Sequence, residues 1–157
     1  MINRFEQFFR NLLSPDQQKD ANNETGDEPS LEHQLHIATT AIFLEMAYTD
    51  SNVDDRELDH IKATIQSFFN LPHHEIDELI KMANEKRKAG HDIWSFTTIL
   101  KQYFSRNERK KIIEDLWRLV YADEVVNKYE ERLIRQVSTL LGLEHSELIE
   151  AKINASK

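Results

Sequence analysis

Cysteine is absent from this 157-residue chain, which excludes disulfides, thiolate zinc sites and cysteine nucleophiles. Glycine and proline number three each. That is too few for a sheet built on tight turns, whereas long stretches of Leu, Ile, Glu, Lys and Arg favour helices. No apolar run approaches the roughly 20 residues that cross a bilayer, and the N-terminus lacks the uninterrupted apolar core of a signal peptide. A cytoplasmic location is therefore expected. Enzyme signatures are missing too: the sequence has no P-loop, dinucleotide fingerprint, G-x-S-x-G elbow or H-E-x-x-H pair. The expectation is an all-α, non-enzymatic protein. A net charge of −8 argues against nucleic acid as its partner.

What is present falls into three parts. Residues 1–13 contain INRFEQFFRNLL, with Ile2, Phe5, Phe8, Phe9, Leu12 and Leu13 at helical spacing and Arg4, Glu6 and Arg10 between them. This reads as an amphipathic helix that docks on the domain, on a partner or on a membrane surface, or supports self-association into a homo-oligomer. Residues 14–30 hold five acids, one lysine, two prolines and a glycine with little to bury, the composition of a flexible linker. Residues 31–157 form the folded domain. Ser30 is placed to cap a first helix whose apolar residues (Leu31, Leu35, Ala38, Ile42, Met46, with Ile37, Ala41 and Leu44 beside them) cover so wide a face that the helix must be central.

About six helices are expected from residue 30 onward. Leu58, Ile61, Ile65 and Phe68 mark one, and Ile76, Leu79, Ile80 and Ala83 another that Gly90 stops. Ile93, Phe96, Leu100 and Phe104 mark a shorter one; Ser105 and Glu108 have the spacing of a capping box that opens the next. That helix carries Ile112, Ile113, Leu116 and Trp117, so Ile42, Met46, Leu116 and Trp117 are assigned to the core. Two more helices close the chain, from about 127 to 141 and from about 145 to 154. The basic runs EKRK at 85–88 and RNERKK at 106–111 read as a solvated face and as a cationic patch for an anionic surface or acidic partner.

An internal repeat is the most informative feature. At an offset of 73, Tyr48, Asp50, Val53, Glu57 and Ile61 fall on Tyr121, Asp123, Val126, Glu130 and Ile134, and NLPHHE at 70–75 falls on GLEHSE at 142–147 one deletion later. Two helical modules are thus duplicated, each with an acidic turn. Asp54 with Glu57, and Asn127 with Glu130, have capping-box spacing. Asp50 and Asp123 stand at helix C-termini, where the dipole disfavours negative charge. They either form Asx-turns or face a cation. His33 and His36 share a helix face, and His60 lies three residues after Glu57; these histidines are either ligands or solvated, hydrogen-bonded residues.

The stretches AYTDSNVDDRE and YADEVVNKYE, within Leu44–Ile61 and Leu116–Ile134, resemble the two signature turns of the TerB-like tellurite-resistance family, itself similar to the N-terminal domain of a membrane-anchored DnaJ-type co-chaperone. The resemblance spans about residues 30–152. It implies a compact TerB-like helical bundle of duplicated modules, acting in stress-response assemblies near the inner face of the membrane through protein partners. It also implies a divalent cation on Asp50, Asp54, Glu57, Asp123, Asn127 and Glu130. Magnesium or calcium suits these oxygen donors better than zinc. In the family the turn aspartate is commonly followed by glycine; here Ser51 and Glu124 stand there. The alternative is an interaction scaffold without metal, whose acidic turns only cap helices.

Overall fold

The computed structural model describes residues 30–48, 55–122 and 128–157. The segment 2–13, most of the linker and the centres of both acidic turns lie outside these residues. Seven helices form among the described residues, with no strand: α1 (Leu31–Ala47), α2 (Asp55–Phe69), α3 (His73–Lys88), α4 (Ile93–Tyr103), α5 (Arg106–Ala122), α6 (Lys128–Leu140) and α7 (His145–Ala155). The all-α expectation holds, and the seven segments marked individually in the sequence each form a helix, one more than the overall figure of about six.

Polar side chains cap the starts of four of these helices. Ser30 Oγ accepts from the His33 N–H at 3.1 Å, and Asp92 Oδ1 accepts from the Ser95 N–H at 3.1 Å at the head of α4. The box at α5 is reciprocal: the Glu108 N–H donates to Ser105 Oγ at 3.1 Å and the Ser105 N–H to Glu108 Oε1 at 2.9 Å. Glu147 reaches back to the Glu144 N–H at 2.9 Å to open α7.

Three of the stops, those after α2, α3 and α6, share one rule. Asn70, Gly90 and Gly142 have φ of 53°, 98° and 76°, the left-handed conformation that lets the next N–H fold back onto the last turn. The Leu71, His91 and Leu143 amides accordingly donate to the Gln66, Lys86 and Ser138 carbonyls. Asn70 and Gly142 are repeat-related positions, so the duplication extends to how each second helix ends.

Eleven of the 17 residues of α1 are buried. A helix apolar around most of its circumference must be enclosed, and α1 packs on α2, α3, α4, α5 and α6. The repeat appears in the packing as well. The two most extensive helix pairs are α1 on α3 and α5 on α7, which correspond under the duplication. Between modules, α1 meets α5 and α6 while α5 meets α2, so each first helix lies against the other module's second. This is the contact pattern of a pseudo-twofold pair.

Most of the cations in the two basic runs are engaged within the fold. Arg87 Nε donates to Glu45 Oε1 at 2.6 Å and the guanidinium lies 4.5 Å from the Tyr48 ring centroid, which joins α3 to the end of α1 where a solvated face was expected. Arg109 Nη1 donates to the Leu141 carbonyl at 2.5 Å. Lys111 and Arg118 converge on the buried Asp115 at 2.9 and 3.0 Å. Arg106 forms a two-pronged pair with Glu147, its Nε 2.7 Å from Oε2. The hydrogen bonds from Arg106, then the backbone bond at Glu144, hold the Glu147 carboxyl down to about 2. Arg106, Arg109 and Lys111 of the expected cationic patch thus tie α5 to α7, to the end of α6 and to itself.

Candidate functional site

Both acidic turns join a module's first helix to its second. Asp50, Asp54, Asp123 and Asn127 lie outside the described residues. Glu57 and Glu130 are described, and they take equivalent places as the third residue of α2 and of α6. Their surroundings differ, since Glu57 is half-buried whereas Glu130 is buried at 9% exposure. Each engages other groups of the protein. The spacing gave the two glutamates equal standing, and the sequence carries no sign of which module encloses its carboxylate. Among the described residues, no three His, Asp or Glu side chains converge to hold a metal ion.

The histidine face is realised at the opposite end of α1. His33 and His36 project into a cleft of about 330 Å³ that Glu32, Glu75 and Glu78 also line, with the two rings 6.5 Å apart. His60 is not part of its wall. Neither ring is arranged as a ligand: His33 Nε2 stands 3.3 Å from Met82 Sδ, and the His36 ring packs 4.0 Å from the Phe69 ring. Burial is the main cause that pushes the His36 pKa down, aided by His33 and opposed by Glu32 and Glu75.

A histidine with a depressed folded-state pKa binds protons more tightly once the chain unfolds, so its contribution to stability is full above about pH 6.5 and is lost as pH falls through and below that value. Melting temperature is therefore expected to drop between pH 7.5 and 5.5, and the drop should shrink in His36→Phe, which keeps the ring contact with Phe69. An unchanged pH profile in that variant would assign the acid sensitivity to another group.

A second groove, of about 380 Å³, adjoins the cleft. Leu31 and Leu35 of α1, Phe68 and Phe69 of α2, and Tyr103 and Phe104 at the end of α4 form its walls, and Glu32 and Glu108 its rim. Phe68 stacks on Phe104 with centroids 6.3 Å apart. Sequence reading missed this groove because three separate stretches of the chain build it; the adjacent phenylalanines at 68–69 and the Tyr-Phe pair at 103–104 were the available signal.

Comparison with known proteins places this architecture. A protein of unknown function from Porphyromonas gingivalis has a similar fold, with a TM-score of 0.60 at 18% identity over 79% of this chain and 94% of that one. No curated protein matches the chain. Residues 36–153 match the family model described as tellurite resistance protein TerB. With the duplicated turns inside that span, the chain belongs to the TerB tellurite-resistance family.

Proposed function

We propose that this TerB domain is a non-enzymatic binding module that holds a magnesium or calcium ion at its acidic turns and acts through protein partners in the response to tellurite or related stress. The observation that carries this reading is the placement of Glu57 and Glu130 at matching positions of α2 and α6, one half-buried and one buried, each beside a turn that contributes further carboxylates. The donor set Asp50, Asp54, Glu57, Asp123, Asn127 and Glu130 is made of oxygens, which fits a hard cation. Bound there, the ion would offset repulsion among clustered carboxylates and fix the junction between each module's first two helices.

A second reading has its own support. Glu108 and Glu147, likewise third residues of their helices, bond back to the N–H of the residue before the helix. Glu57 and Glu130 occupy the same station, so the turns would be helix caps and the domain a scaffold without metal. Thermal melting of the full chain with and without Mg²⁺ or Ca²⁺ separates the two. The metal reading expects a rise in wild type that Asp50→Ala combined with Asp123→Ala abolishes; equal responses in both proteins would leave the turns as caps.

A further inference from the structure

We propose that the groove between α1, α2 and α4 is the intramolecular docking site of the chain's own N-terminal segment, residues 2–13. The walls supply the complement such a segment needs. Leu31, Leu35, Phe68 and Phe69 are half-buried apolar side chains that border one depression of about 380 Å³, comparable in size to a pocket for a few large side chains. The segment brings Ile2, Phe5, Phe8, Phe9 and Leu12. At helical period these form one stripe with Arg4 and Arg10 on opposite flanks.

Three further observations select this occupant. The connection ends at the site itself, since residues 14–30 lead directly into Leu31, which is part of the groove wall. A random coil of that length spans roughly 20–25 Å, so the segment is presented at an effective concentration of order millimolar. Charge is complementary as well: Glu32 and Glu108 stand on the rim, and Glu75 and Glu78 line the adjoining cleft, opposite a segment whose two arginines outnumber its one acid, Glu6. Finally, the linker's five acids against one lysine keep it from competing for an acid-rimmed groove, so the basic, aromatic segment is the part drawn in. Docking would shield the aromatic helix ends from water.

The absence of cysteine makes the test direct. A nitroxide is attached to Ser67→Cys in the full-length, isotope-labelled chain; Ser67 is exposed and neighbours Phe68 of the groove wall, so the label sits beside the groove without replacing a residue that lines it. The expected result is loss of the amide signals of residues 2–13, and their recovery when Phe5, Phe8 and Phe9 are all changed to serine. A nitroxide at Tyr129→Cys, on the exposed head of α6, should leave those signals intact. Full signal intensity with the Ser67 label overturns the proposal. So does broadening in a mixture of isotope-labelled chains with unlabelled chains carrying the nitroxide, which would make the occupant a second copy. Full signal intensity in solution, with loss of those signals only when anionic phosphatidylglycerol vesicles are added, would assign residues 2–13 to a lipid surface instead.

Discussion

Trp117→Ala is expected to destabilise the domain by about 3–5 kcal/mol, which lowers the melting point by roughly 6–20 °C for a domain of this size. The side chain is 2% exposed, stacks 5.9 Å from the Tyr121 ring and lies under the Lys152 ammonium at 5.1 Å. It therefore couples α5 to α7 within the second module. Alanine would leave a cavity there that helices held at both ends cannot close. The indole also has a weakness: its Nε1 is buried with no hydrogen-bond partner among the described residues. Trp117→Phe keeps much of the apolar volume and removes an unsatisfied donor, so it should cost less than about 2 kcal/mol. Chemical denaturation of the two variants checks the pair. Equal losses would mean that the ring's volume is not what matters at this site. Ile42, Met46 and Leu116, exposed at 0, 1 and 0%, should each lose about 2–5 kcal/mol on truncation to alanine.

The second large effect is expected at Gly142, where alanine should cost about 2–3 kcal/mol. A φ of 76° accounts for about 1–2 kcal/mol, because a Cβ there approaches the following carbonyl. The remainder comes from the neighbours. A Cβ would stand 2.9 Å from Lys101 Cε and 3.3 Å from Arg109 Nη1. The lysine end can swing away, but the arginine is tied to the Leu141 carbonyl and would weaken that bond as it moves. Gly90 offers the control, since it has φ of 98° and a Cβ added there would meet nothing within 4 Å. Gly90→Ala should show the conformational cost alone, and a Gly142→Ala loss no larger than that would remove the role given to Arg109.

Helix ends were the most legible part of the fold. Ser30, the Ser105–Glu108 box and Gly90 act through local bonds that depend on a few adjacent residues, and each stands where its spacing placed it. The central position of α1 was legible for a related reason: apolar residues around most of the helix leave only a narrow face for water. Partner choice for charged side chains was not. Arg87 finds Glu45 across 42 positions and Arg106 finds Glu147 across 41, pairings set by how helices stack and not by any local pattern. The candidate site was legible in part. The repeat put Glu57 and Glu130 at matching places, but it gave no sign of the difference in their burial.

Enclosure of α1 by helices from both modules has a consequence for biosynthesis. Roughly 80 residues separate its end from the start of α6, so at a translation rate of about 5–20 residues per second the ribosome needs roughly 4–16 s to deliver the last helix that covers it. During that interval α1, with eleven of its 17 residues bound for the interior, can pack on the helices already made but not on α6, so part of its apolar surface stays open. Truncated chains ending before Lys128 should therefore precipitate more readily than the finished chain.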